Sequence, residues 1–488
     1  MQRSLVLLLG ILAIAGLDLY ALGGGAFAAL ALAAIAALFA AGFSYLDDGV
    51  ASAPPAAPWQ APAAALQRAD WLAAAGWTCA SFALSAVSYA HPSGEIFDEV
   101  YFARAAREYL HNVHVYESTH PPLSKLLITL SVLLFGGLPA GDTSYGWRFL
   151  DVVFSALAVG VLYALARRVT GSALFAAIAA ALLLLDGMHF VQSRIATPEG
   201  LAVFFSLCTI YALFRYVEAR PASRAELCWA ALFGVAAGCM IATKWYGVTL
   251  LGAGAAAAAI WKPRRPRTAL ALGLAFLATL CTYALAWTPD LLRDSPDPAA
   301  IHTVGDVIER QYQMYVYHST LRATHPYSSK WWEWPLDLVP VVYYYQPDPS
   351  ATPENPQGCC IREVTSMPNP INTWFGLFAI PFVAWLAWTR RRRDYALAVL
   401  VFACQWLPWS LSPRISWEYH FYVDIPMICL CNAIALQRLR VPRWAVAAAL
   451  ASIAGAFVYF YPVLAAQPLS WEAWHARMWF PTWIIGPG

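Results

Sequence analysis

The sequence predicts an all-α, multi-pass membrane protein, and three observations predict it. Of 488 residues, 60% are hydrophobic and only 12% charged, about half the charged share of an ordinary soluble chain. The apolar residues gather into blocks long enough to cross a hydrocarbon core, such as 226–243. Basic residues collect at one set of block ends: Arg167 and Arg168, Arg215/Arg220/Arg224, residues 262–267, residues 390–393, and Arg438/Arg440/Arg443. Cytoplasmic loops carry that bias. Such a chain is not a soluble enzyme, a disordered protein or a nucleic-acid binder, and its net charge of +2 identifies no partner.

The apolar blocks run over 5–22, 25–43, 70–90, 147–166, 171–187, 198–217, 226–243, 245–261, 268–288, 371–389, 395–411, 419–436 and 443–462, which gives thirteen expected spans. A further block, 123–138, has an uncharged part of roughly 20 Å as a helix, against about 30 Å of hydrocarbon. If it does not span, Arg3 and Arg68 fall on the same side as the other basic clusters; if it does, they fall opposite. It is therefore expected to lie in the outer interface. The opening apolar run is read as a retained span, because it passes through Gly23-Gly24-Gly25 into a second run without a convincing cleavage site.

This reading divides the chain into two additional N-terminal helices (1–45), a cytoplasmic linker (46–69), a membrane module (70–288) with an outer loop at 91–146, a second outer loop (289–370), a four-helix C-terminal region (371–462) and an outer tail (463–488). No internal repeat is visible, which argues against a transporter built from repeated halves. Ionisable residues are scarce at mid-depth, and Arg148, Asp151, Asp186 and Arg194 sit near outer ends. A channel or pump would distribute them along its helices; this is the layout of an interfacial enzyme. The ten cysteines form no metal-binding pattern, so no metal site is expected. The adjacent Cys359 and Cys360 leave their pairing open.

Polar chemistry concentrates in the outer loops. Residues 94–110 carry Asp98-Glu99 together with Phe97, Tyr101, Ala105 and Tyr109 at helical spacing, an amphipathic pattern for a helix along the membrane surface. The two acids lie about 100° apart on a helix, so one faces a site while the other caps the helix or pairs with a base. His120-Pro121-Pro122 leads into Lys125 at the start of the short block, where a cation opposes the helix dipole and suggests an anion. Arg148, Arg194 and Lys244 add outer cations against the positive-inside trend, and several converging cations suit a phosphate. In the second loop His325, Lys330 and Trp331 lie in an aromatic and polar stretch suited to sugar or peptide contact.

Taken together, these segments resemble the protein O-mannosyltransferases, membrane enzymes that use polyprenyl-phosphate mannose. The matching pieces are residues 97–99, 120–126, Arg148, 185–194, 238–247 (GCMIATKWYG), 324–335 (THPYSSKWWEWP) and 367–374 (MPNPINTW), in family order from about 70 to 462. The resemblance implies a GT-C glycosyltransferase fold and inverting transfer of mannose to Ser or Thr hydroxyls of a translocated protein. The second loop is too short for the β-trefoil (MIR) domain of eukaryotic members, so the chain looks like a bacterial form, expected in the inner membrane with its site on the periplasmic face. Residues 195–199 (IATPE) depart from the family pattern, where an aspartate without proline is usual.

The expected machinery is then Asp98 as general base and Glu99 as its support. Arg148 and Lys125 are the first candidates for the donor phosphate, with His120, Arg194 and Lys244 behind them, and His325, Lys330 and Trp331 serve the substrates. No cofactor beyond the lipid-linked donor and no essential metal is expected. The partners would be that donor, membrane lipids and a secreted acceptor protein near the translocon. The alternatives are a lipid-glycosylating GT-C enzyme of the aminoarabinose transferase kind, a flippase of lipid-linked sugars, and a scaffold in which Asp98 merely caps a helix.

Overall fold

The computed structural model describes residues 65–439 and 441–484. The expected spans at 5–22 and 25–43, nearly all of the linker, and Arg440 lie outside the described residues. The chain enters with α1 (Arg68–Ala86), which packs along α4 (Ser144–Thr170). Thr143 starts α4 by accepting the Gly146 amide, and Gly171 ends it at φ 68°, where a glycine adopts the left-handed turn without a β-carbon penalty. After α5 (Ala173–Leu184) and the short α6 (Gly187–Gln192) come α7 (Pro198–Glu218), α8 (Arg224–Thr243), α9 (Val248–Trp261) and α10 (Pro266–Ala286). The C-terminal region adds α13 (Pro370–Arg390), α14 (Arg393–Trp406), α15 (Ile425–Arg438) and α16 (Arg443–Leu464).

Among the described residues, eight helical segments are long and apolar enough to cross a membrane: α4, α7, α8, α10, α13, α14 extended to Leu411, α15 with its lead-in from Glu418, and α16. The span led by Glu418 is enclosed throughout, whereas α10 is only 17% buried and presents Leu270, Phe276, Leu277 and Leu280 outward. Three expected spans fall short of that standard. Helix α1 carries Arg68 and Asp70 in its first turn, the segment Trp245–Trp261 is only 17 residues, and α5 is only 12. Helix α5 stops because Asp186 caps α6, its carboxylate accepting the His189 amide.

A layer at one end of the bundle is built on α2 (Glu99–Leu110), α3 (Leu123–Leu134), α11 (Thr288–Leu292) and α12 (Val304–Thr320). The doubtful block forms α3, whose 12 residues reach about 18 Å and pack between α2 and α4. The packed face of α2 differs from the expected stripe. Phe102, Ala103 and Ala106 go inward against Ile128, Val132 and Trp147, while Tyr101 stays 45% exposed. The helix begins at Glu99, and burial of that acid sets its rotation.

Strands absent from the sequence reading complete this layer. β1 (Val341–Gln346), β2 (Cys359–Ser366) and β3 (Leu469–Ser470) form an antiparallel sheet in that order. The tail thus returns to the second loop, followed by α17 (Trp471–His475). Val342 pairs with Thr365 and Tyr344 with Val364, so Tyr343 is the extra residue of a β-bulge. Cys359 and Cys360 are joined to each other on β2.

Candidate active site

A cavity of about 750 Å³ opens between the first outer loop, the α7 and α8 ends, and the second outer loop, within the size range of small-ligand sites. Six otherwise separate segments line it: Asp98 at the start of α2, Glu117 and His120 in the loop before α3, Glu199 in the first turn of α7, Lys244 at the end of α8, His318 in α12, and Arg414 in the connection between α14 and α15.

The two adjacent acids take opposite tasks. Asp98 occupies the N-cap position of α2, but its side chain makes no capping bond. It faces the cavity instead, half-buried. Burial pushes its carboxyl up to about 7, the Glu199 charge adds to that, Lys244 opposes it, and Glu117 contributes a smaller upward push. Glu99 is fully enclosed. Its oxygens accept Arg148 Nε and Nη2, both at 2.7 Å, together with the amides of Ile96 at 3.0 Å and Ala196 at 2.8 Å.

That arrangement corrects the expected role of Arg148. Its remaining donors go to the carbonyls of Tyr89, Pro92 and Gly94 at 2.9–3.0 Å, and the side chain is 0% exposed. With every guanidinium N–H engaged, Arg148 holds the loop that carries Asp98 and has nothing left for a substrate phosphate. Lys125 is corrected on the same ground. Its ammonium donates to the Glu117 carbonyl (2.7 Å), Glu117 Oε2 (2.9 Å) and the His120 carbonyl (2.8 Å), which uses all three protons. Arg194 is tied to the Ser88 carbonyl and lies over the Phe190 ring, away from the cavity, where burial lowers it to about 10. Lys330 is exposed, and Trp331 packs edge-on against Trp406; neither lines the cavity. Of the expected substrate contacts, the cavity gathers His120, Lys244 and His325.

Sequence reasoning passed over four residues that line it. Glu117 is buried between Lys125 and His120, whose Nδ1–H donates to it at 2.9 Å. Burial alone would raise this carboxyl, but Lys125 and His120 outweigh it and hold it well below the usual range. Glu199, in the first turn of α7, forms an ion pair with Lys244, the C-cap residue of α8. His318 donates from Nε2 to the Thr119 carbonyl at 2.8 Å and accepts Arg414 at Nδ1. Burial and the neighbouring His120 lower it to about 4, so it is neutral and fixed in that tautomer. Arg414, half-buried, has no carboxylate partner among the described residues. The positive-inside argument had a signal for it: an arginine at a connection between two spans that the argument expects to be outer.

The charges then resolve. Lys125 neutralises Glu117 and Lys244 neutralises Glu199. One carboxylate, Asp98, and one guanidinium, Arg414, remain on the wall without an ion-pair partner among the described residues. A free base and a free cation on one cavity wall can deprotonate a hydroxyl and hold an anionic leaving group. Among the described residues no three His, Cys, Asp or Glu side chains group as a metal site.

Comparison with known proteins gives this geometry a family. A family model described as dolichyl-phosphate-mannose-protein mannosyltransferase matches residues 75–292, and one described as the C-terminal four TMM region of protein-O-mannosyltransferase matches 303–483. The polyprenol-phosphate-mannose–protein mannosyltransferase of Mycobacterium tuberculosis is 26% identical over 467 residues, covering 80% of this chain and 86% of its own. The S. cerevisiae protein O-mannosyltransferase Pmt1-Pmt2 complex bound to the sugar donor superposes with a TM-score of 0.70 at 14% identity, over 86% of this chain and 93% of that one. ArnT from Cupriavidus metallidurans, bound to undecaprenyl phosphate, follows at a TM-score of 0.56 and 17% identity, over 85% and 77%. The fold is that of the GT-C glycosyltransferases, and the chain belongs to the protein O-mannosyltransferase family.

Proposed function

We propose that this protein transfers mannose, with inversion, from polyprenyl-phosphate mannose to Ser or Thr hydroxyls of proteins delivered on the outer side of the bacterial inner membrane. The observation that carries the reading is the pairing pattern of the cavity wall, which leaves Asp98 as a base and Arg414 as a cation. As the acceptor oxygen bonds to the anomeric carbon, its proton passes to an Asp98 oxygen. The bond from that carbon to the phosphate oxygen breaks, and polyprenyl phosphate leaves with the electron pair. A carboxyl near 7 suits this task, because a general base works best with a pKa close to the operating pH.

The leaving phosphate is already a stabilised anion and needs no acid. Arg414 and the Lys244 ammonium, beside the Tyr246 and Tyr419 rings, are placed to meet the charge it gains. His120, with Nδ1 held by Glu117, turns its other nitrogen free. Glu99 and Arg148 position the base rather than touch substrate. No metal takes part in this scheme. The outer placement is supported by the opposite end of the bundle, where Arg168 pairs with Glu218, Lys262 with Glu226 and Arg392 with Asp394.

The test is incubation of the purified protein with labelled polyprenyl-phosphate mannose and a Ser/Thr peptide. Labelled glycopeptide is expected. Label appearing only on a lipid acceptor, or donor crossing a bilayer without transfer, would overturn the reading in favour of a lipid glycosyltransferase or a flippase.

A further inference from the structure

Phe97, immediately before Asp98, has a backbone φ of +51°. For a bulky side chain this left-handed conformation is unfavourable, and it persists only where the surroundings hold it. Two rings hold it. Tyr343 stacks face to face on Phe97, with centroids 3.8 Å apart and planes 9° from parallel, and Tyr419 meets it edge-on at 5.6 Å. Parallel contact this close and a second edge contact fix both the position and the tilt of the Phe97 ring.

Tyr343 is itself placed by three constraints. It is the inserted residue of the β1 bulge, a device that re-aims a side chain out of the regular ladder. It is 5% exposed, and its hydroxyl accepts the Gln192 amide at 2.6 Å. Tyr419 touches the other side of the site, since the Lys244 ammonium lies 5.4 Å from its centroid. On the far side of Asp98, the chain is bolted by Glu99 to Arg148, and the Glu99 amide closes a turn on the Ile96 carbonyl at 3.1 Å. Asp98 therefore stands between one neighbour fixed by an ion pair and another fixed by ring contacts from more than 240 residues downstream.

We propose that Phe97 and the bulged Tyr343 form a ring clamp through which the second outer loop sets the position of Asp98, which makes both of them positioning residues for transfer. The proposal rests on the reading of Asp98 as the general base. The geometry is demanding because a misplacement of about 1 Å in a reacting group can cost about 10²-fold in rate. The clamp also walls the base from water on one side, so its loss acts on two observables at once. It lowers turnover through misplacement, and it moves the acidic limb of the pH profile through hydration of Asp98.

The experiment measures kcat, donor KM and the pH dependence of kcat for the full-length purified enzyme with polyprenyl-phosphate mannose and a Ser/Thr peptide. Tyr343→Leu removes the stack, Tyr343→Phe keeps it, and Phe97→Gly suits the left-handed backbone while deleting the ring. Tyr343→Leu and Phe97→Gly are expected to lower kcat by about 10- to 100-fold, with donor KM within about threefold. The acidic limb should move to lower pH, because water reaching Asp98 weakens the burial that raises it. The other groups acting on that carboxyl, Glu199, Lys244, Glu117 and the Tyr343 and Tyr419 hydroxyls, are unchanged in Phe97→Gly. Tyr343→Phe should keep the limb where the wild type has it. If Tyr343→Leu does not fold, Phe97→Gly supplies the same reading. An unmoved limb, or activity lost only in proportion to folded protein, overturns the clamp. An active Asp98→Asn enzyme in the same assay overturns the base reading and the clamp with it. An inactive Asp98→Asn beside a wild-type-like Tyr343→Leu overturns the clamp alone.

Discussion

Replacing Arg148 by Gln separates anchoring from substrate binding, the two roles that sequence and structure assign to it. In the folded protein Glu99 accepts four hydrogen bonds, two from Arg148 and two from backbone amides, and neither side chain reaches solvent. Arg148→Gln leaves the carboxylate buried with only the amides of Ile96 and Ala196. It also strips a donor from each of the Tyr89, Pro92 and Gly94 carbonyls. Breaking a buried pair by removing one partner costs about 3–5 kcal/mol. The orphaned carbonyls add to that, at about 1–3 kcal/mol for each buried hydrogen bond that stays unmade, so the cost of the broken pair is the least expected. The loss is to be read from SDS unfolding in mixed micelles, alongside donor binding by the protein that remains folded. The expected result is a loss of at least about 3–5 kcal/mol, with donor affinity of the folded fraction within about threefold of wild type. A variant with wild-type stability that no longer binds donor would refute the anchoring argument and return Arg148 to the phosphate.

Further expectations concern the cavity wall. Arg414→Gln should raise donor KM by about 10- to 100-fold, the equivalent of one charge-assisted contact, with peptide KM unchanged in initial-rate assays. Lys125→Met should behave differently, lowering thermal stability because Glu117 is left buried without its cation, while donor KM in the folded protein changes little. The pH dependence of kcat/KM should rise through about 7, because Asp98 is pushed up to that value and works as a base only when deprotonated. A profile already flat above pH 5 would place the base elsewhere. Treatment with a chelator should leave transfer unchanged, and loss reversed by Mn²⁺ would show a metal in the mechanism.

Eight of the expected spans are long and apolar enough among the described residues, and these were readable because span length is a local property of the chain. The basic clusters and the shortness of 123–138 put the polar loops together at one end of the bundle, and residues of both loops line the cavity. The roles of the cations were not readable, because a partner's identity is a tertiary fact. Arg148 lies 49 positions from Glu99, and nothing in the sequence marks them as a pair, so a buried anchor counted as a free phosphate ligand. Lys125 was misjudged for the same reason although Glu117 is only eight residues away. Arg414 escaped notice in a connection between two spans, where the rule that flagged the other outer cations applied equally. The β-bulge was out of reach as well, since Tyr343 stands in a run of tyrosines and only the register with β2 singles it out.

The central claim is that Asp98 removes the acceptor proton at the outer face. Single-turnover transfer from labelled polyprenyl-phosphate mannose to a Ser/Thr peptide, measured for wild type and Asp98→Asn at matched folded concentration, tests it most directly. The account predicts a rate lower by about 10²- to 10⁴-fold in the variant, with donor binding retained. A variant that transfers mannose at the wild-type rate would contradict it.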